Sequence, residues 1–113
     1  MDSKNRGIEK MAKYGLNRED RAQIVSVILS RKKAEKIILF GSRARNAFGR
    51  TSDIDLAIIG KSWTDKDINV VKSELEERIK TPLTFDIINF YGVAKKTLKK
   101  NIVKEGVILY DTH

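Results

Sequence analysis

Three aspartates stand where apolar residues would be expected. Asp53 and Asp55 open the run Asp53-Ile54-Asp55-Leu56-Ala57-Ile58-Ile59, and Asp86 interrupts Leu83-Thr84-Phe85-Asp86-Ile87-Ile88-Asn89-Phe90. An ionised carboxylate drawn partly out of water is costly unless it is paired or bound to a metal. On an extended strand, residues 53 and 55 share a face with their Cα atoms roughly 6.6 Å apart, so both side chains can converge on one hard cation. Asp86, on a neighbouring strand, can complete the cluster. Three negative charges at close range repel, so the set makes sense mainly around a cation, and donors that are all oxygen suit Mg²⁺ or Mn²⁺ better than Zn²⁺. Taken alone, an Asp-x-Asp at the start of a strand is also ordinary as a turn acid, a cap or the partner of an arginine.

A second feature is Gly41-Ser42, directly after the apolar run Lys36-Ile37-Ile38-Leu39-Phe40. Glycine lets a phosphate approach the backbone, Ser42 offers a hydroxyl, and the N–H groups that follow form a nest or helix N-terminus for an anion. Arg43 and Arg45 are candidate phosphate contacts by position, or solvated charges of the connection. A lone Gly-Ser is common turn chemistry. Gly41-Ser42, ten residues, then Asp53-Ile54-Asp55 is a far less ordinary spacing.

Composition narrows the chemistry further. The 113 residues carry 23 Lys+Arg against 15 Asp+Glu, a formal charge of +8, with 41% hydrophobic and 34% charged residues, which predicts one small folded domain rather than a disordered chain. With no cysteine there are no disulfides, thiol nucleophiles or thiolate zinc sites, and the one histidine, His113, is the last residue, so Ser-His-Asp chemistry has nothing to work with. No signal-like or membrane-spanning apolar stretch is present, so a cytoplasmic protein without a membrane partner is expected. The basic balance suits nucleic acid, an anionic surface or a phosphate-bearing ligand, and does not choose among them.

The elements that must hold these residues follow from periodicity. Asn17 is a good N-cap for a helix reaching about Arg31, with Ile24, Val25, Ile28 and Leu29 on one side, and residues 1–16 read as a loose or weakly helical lead. Lys36–Phe40 reads as a buried strand. In the next strand, Ile54, Leu56 and Ile58 take one face and Asp53, Asp55 and Ala57 the other. Thr64 caps a helix carrying Ile68, Val71, Leu75 and Ile79 that Thr81-Pro82 ends. Residues 83–90 form a third strand. Gly92 opens a last helix with Ala94, Leu98 and Ile102 opposite Lys95, Lys96, Lys99, Lys100 and Lys104, Gly106 caps it, and residues 107–110 form a closing strand. Phe40, Phe85 and Ile87 read as core, and Trp63 as a lid on a helix end. The order predicts a single α/β (α+β) domain over residues 1–113, with helices packed on a small mixed sheet.

Phe40-Gly41-Ser42-Arg43-Ala44-Arg45, followed by Ser52-Asp53-Ile54-Asp55-Leu56-Ala57-Ile58, resembles the signature of the DNA polymerase β-like nucleotidyltransferase superfamily, and in particular its minimal, single-domain members. The likeness is densest over residues 37–60. Asn46 departs from it, since many relatives have glycine there. The resemblance implies a polymerase β palm-like fold. It further implies that Asp53 and Asp55 hold two Mg²⁺ ions, that Asp86 joins one of them and helps activate the attacking hydroxyl, and that Gly41, Ser42 and Arg43 hold the phosphates of ATP or another NTP. The implied reaction is transfer of NMP with loss of pyrophosphate.

Larger relatives carry further domains for their acceptors, whereas the residues after the second strand here are barely enough to finish the catalytic fold. The acceptor site must then be shallow or supplied by another chain. The chain is similar to the MNT antitoxins encoded beside HEPN-type toxins, and this implies AMP transfer to a tyrosine of a HEPN partner and a hetero-oligomer with it. The alternative is a basic module without catalysis that neutralises a partner by contact, or that binds nucleic acid through the lysine stripe of the last helix. That stripe is equally compatible with a solvated face.

Overall fold

Asn17 starts the first helix because its side chain accepts a hydrogen bond from the Asp20 N–H at 2.7 Å, satisfying a donor the helix itself cannot. The helix, α1 (Arg18–Arg31), buries Ile24, Val27 and Ile28. Strand β1 (Lys36–Phe40) pairs antiparallel with β2 (Ile54–Ile59), Lys36 facing Ile59 and Phe40 facing Asp55. Thr64 and Asp67 form a reciprocal capping box at the start of α2 (Asp65–Arg78), which returns the chain so that β3 (Phe85–Asn89) lies parallel to β2. A short 3₁₀ turn, Phe90–Gly92, leads to α3 (Lys96–Glu105) and to β4 (Val107–Asp111), antiparallel to β1. The computed structural model describes residues 13–45, 53–79 and 84–112. Several expectations concern residues outside these: most of the N-terminal lead (1–12), Asn46 and Arg50 within 46–52, the Thr81-Pro82 helix stop, Leu83, and His113.

The small mixed sheet with helices packed on it is as the sequence predicts; its strand order is β3-β2-β1-β4, and helices lie on both of its faces. Period-two alternation makes the sheet two-sided. Ile37, Leu39, Ile54, Leu56, Ile58, Phe85 and Ile87 join the α1 and α2 side chains in the main core. On the opposite face Ile38, Ala57 and Ile59 pack with Ile102 of α3, and Phe40, Ile88, Phe90 and Leu98 are half-buried around them. Asp55 belongs to this second, thinner face.

α3 begins later than its sequence suggests. Gly92 closes the 3₁₀ turn, with the Val93 N–H donating to the Phe90 carbonyl at 3.2 Å, and Ala94 is exposed ahead of the helix rather than on its buried side. Lys95 then stands at the N-cap without a side-chain hydrogen bond, so no capping residue marks the start. Gly106 is the C-cap, for reasons of space: its φ is −70°, and a Cβ there would collide with the Ile102 carbonyl oxygen and the Ile38 side chain.

One buried charge was not anticipated. Asp67 is 3% exposed and joins α1 to α2, accepting from Arg31 Nε at 2.9 Å, Lys32 Nζ at 2.7 Å and the Thr64 N–H at 2.9 Å. The Lys32 hydrogen bond first, then those from Thr64 and Arg31, hold its carboxyl well below the usual carboxylate range. Trp63 is buried beside this junction, its indole N–H donating to the Lys33 carbonyl at 2.8 Å just beyond α1, which is the lid role read from the sequence.

Candidate active site

At the end of β1 the chain turns at Gly41, with φ at +77°, a left-handed conformation that glycine adopts without steric cost. Because Phe40 pairs with Asp55 across the β1/β2 ladder, the next residue comes alongside the Asp55 side chain. A Cβ on Gly41 would run into the Asp55 carboxylate. The Gly-Ser turn and the Asp-x-Asp strand, separate in sequence, are therefore in direct contact. The Arg45 N–H closes the turn on the Gly41 carbonyl at 3.3 Å, and Ser42 is half-buried within it.

Parallel pairing sets the acids. Asp55 lies opposite Asp86 in register, on neighbouring strands about 4.8 Å apart. Two residues before this pair on each chain segment, Thr84 Oγ1 donates to Asp53 Oδ1 at 2.5 Å, and the Ile54 N–H donates to the Thr84 carbonyl at 3.0 Å. Asp53 and Asp86 are exposed and Asp55 is half-buried. Burial pushes the Asp55 carboxyl up to about 6, with the charges of Asp86 and then Asp53 adding to the shift and Arg43 opposing it.

Arg43 is 2% exposed, so it is not a solvated charge, one of its two readings from the sequence. Its Nε donates to the Asp53 carbonyl at 3.3 Å and its Nη1 to the Tyr14 carbonyl at 3.1 Å, so it ties the turn to the start of β2 and to the segment before α1. Burial lowers its pKa while Asp55 and Asp53 favour the charge, and a guanidinium stays protonated at neutral pH. Arg45 forms a surface pair with Glu105 at 3.6 Å. Thr84 was missed as a site residue. The available signal was its place two residues before Asp86, hence on the same strand face.

Among the described residues, no three acidic or histidine side chains are gathered tightly enough to coordinate a single metal ion. The backbone nevertheless sets Asp53, Asp55 and Asp86 on adjacent strands at one edge of one face, with oxygen donors only. Burial first, and then the neighbouring Asp86 and Asp53 charges, raise the Asp55 pKa, and a divalent cation held by these oxygens would offset both. The donor set fits Mg²⁺. A cleft of about 460 Å³ opens at the other end of β3, between Ile68 and Asn69 of α2 and Ile88, Asn89 and Val93, and none of the three aspartates lines it. No helix among the described residues is long and apolar enough to cross a membrane.

The family model described as polymerase beta nucleotidyltransferase matches residues 22–113. The chain belongs to this nucleotidyltransferase family. Solved structures share its fold. One, a toxin–antitoxin with AMP-PNP, superposes with a TM-score of 0.70 at 21% identity, over 82% of this chain and 74% of that one. Another, assigned as a minimal nucleotidyltransferase, gives 0.66 at 25% identity over 80% and 89%. A third, from the complex of a tri-AMPylated Shewanella oneidensis HEPN toxin with an MNT antitoxin, gives 0.60 at 18% identity over 82% and 71%. No curated protein matches the chain in sequence. The α+β fold read from the motifs is thus the fold of minimal nucleotidyltransferases and of chains in toxin–antitoxin pairs.

Proposed function

We propose that this nucleotidyltransferase is Mg²⁺-dependent and moves NMP, AMP from ATP, onto a tyrosine hydroxyl of a HEPN-type toxin partner, acting as its antitoxin. The observation that carries the reading is the contact between Gly41 and Asp55 with Asp86 aligned beside it, since this joins a phosphate-approach turn to a carboxylate pair. Likeness in fold to a toxin–antitoxin with AMP-PNP and to the complex of an AMPylated toxin supports the nucleotide and the partner.

Asp53, Asp55 and Asp86 would hold Mg²⁺, which supplies charge neutralisation at the attacking and leaving oxygens of an in-line displacement. The turn at Gly41 and Ser42 cradles the terminal phosphates through its backbone N–H groups and the serine hydroxyl. Arg43 keeps that turn docked on β2 from below. Asp86, exposed at the sheet edge, accepts the proton of the acceptor hydroxyl. The hydroxyl oxygen bonds to the α-phosphorus, the bond from that phosphorus to the bridging oxygen breaks, and pyrophosphate leaves.

Co-expression with a HEPN-type protein from the adjacent reading frame, followed by intact-mass measurement of that partner, tests the reading. Added AMP units that vanish with Asp55→Asn support it, whereas an unmodified partner under both conditions removes it. The basic face of α3 favours a second mode, neutralisation by contact: Lys95 at its N-cap and Lys96, Lys100 and Lys104 along it are exposed, as is Val103, at 67%. In that mode the Asp55→Asn protein still neutralises its partner, without AMP transfer.

A further inference from the structure

We infer that Thr84 is a positioning residue for the metal-binding acids: its hydroxyl fixes the Asp53 carboxylate so that one oxygen stays directed into the Asp55 and Asp86 cluster. The inference rests on the reading of Asp53 as a metal ligand. In the parallel β2/β3 pairing, Ile54 opposes Phe85 and Asp55 opposes Asp86, which sets Thr84 beside Asp53 on the face that carries all three acids. The Thr84 hydroxyl donates to Asp53 Oδ1 at 2.5 Å, short for such a bond and typical of a charged acceptor. Its backbone is fixed at the same point, because the Thr84 carbonyl accepts the Ile54 N–H at 3.0 Å.

Asp53 needs such a hold more than Asp55 does. Asp55 is half-buried and braced against Gly41, whereas Asp53 is exposed just before β2, where core packing does not fix its side chain. A hydrogen bond to one oxygen leaves the other oxygen as acceptor and removes the rotamers that point away. Hydrogen-bond partners of metal-binding carboxylates typically alter metal affinity by about 10–100-fold. Arg43 Nε holds the backbone of the same residue, donating to the Asp53 carbonyl at 3.3 Å.

The test is Mn²⁺ binding to the protein in the presence of a non-hydrolysable ATP analogue, followed by the electron paramagnetic resonance signal of free Mn²⁺. It compares the wild type with Thr84→Val, Thr84→Ser and Asp53→Asn, with melting temperatures recorded for each. Valine keeps the β-branched shape and removes only the donor, and Thr84→Ala serves if valine perturbs folding. The expected result is Mn²⁺ affinity about tenfold weaker in Thr84→Val, recovery to near wild type in Thr84→Ser, and loss of binding in Asp53→Asn, at similar melting temperatures. Wild-type affinity in Thr84→Val together with loss in Asp53→Asn overturns the role of Thr84 and leaves the metal reading standing. Wild-type affinity in Asp53→Asn overturns both.

Discussion

The α-carbon of Gly41 rests against the carboxylate of Asp55, and no side chain can stand between them. The Gly-Ser turn and Asp55 are thus one structural unit, held by the Phe40–Asp55 strand pair. Gly41→Ala tests the unit. An alanine at φ +77° is strained and must also displace Asp55, so a destabilisation of about 1–3 kcal/mol is expected, with transfer falling by about 100-fold or more. Thermal melting and a nucleotide-transfer assay read the two effects, and unchanged activity would show that the contact is dispensable.

Asp55→Asn separates stability from activity. In the absence of metal the folded protein holds the Asp55 carboxyl at about 6, above the 3.8 of a free carboxyl, so between these values the folded state binds more protons than the unfolded chain. Stability therefore falls as pH rises from about 3.8 to about 6, and the deficit persists above that range. The variant lacks this penalty. In EDTA at neutral pH it should melt at a higher temperature than the wild type, converging with it near pH 4, while losing transfer. A lower melting temperature at neutral pH would contradict a cost of holding the Asp55 charge there, through burial first and repulsion second.

Asp67 has the opposite sign. Its carboxyl is depressed by Lys32, Thr64 and Arg31, so its contribution is present above the unfolded value of 3.8 and is lost as pH falls below it. Asp67→Asn should lower the melting temperature at neutral pH and flatten the acid limb of the stability profile below about pH 4. An unchanged acid limb would remove Asp67 from the account of acid stability.

Ile102 is the one fully buried side chain of α3, seated on Ile38, Ala57 and Ile59. Ile102→Ala should cost about 2–5 kcal/mol. Hydrogen exchange would then show α3 protection falling more than that of α1. Equal loss across the two helices would show that α3 does not open on its own.

Where local rules and tertiary packing agree, the elements were legible. Asn17 and Thr64 cap their helices through the expected bonds, and the alternation in β2 splits Ile54, Leu56 and Ile58 from Ala57 as read. The start of α3 was not legible, because Lys95 carries no capping side chain and the 3₁₀ turn at Phe90–Gly92 is set by packing. The motif and the third strand pointed to Gly41, Asp53, Asp55 and Asp86, but Arg43 reaches back to the carbonyl of Tyr14, 29 positions away, and the Arg31–Lys32–Asp67 junction joins residues 35 and 36 positions apart. Neither leaves a periodic trace. Alternation along β3 puts Thr84 on the face of Asp86, but its contact with Asp53 comes only from the parallel register of β2 and β3, which a single strand does not reveal.

The most direct test of Asp-dependent nucleotidyl transfer uses the purified protein, an extract of its source cells, and ATP labelled at either the α- or the γ-phosphate. Protein-bound label should appear from α-labelled ATP alone, require Mg²⁺, and disappear with Asp55→Asn. Label arriving from the γ-phosphate, or α-label persisting undiminished with Asp55→Asn, would contradict nucleotidyl transfer by this site.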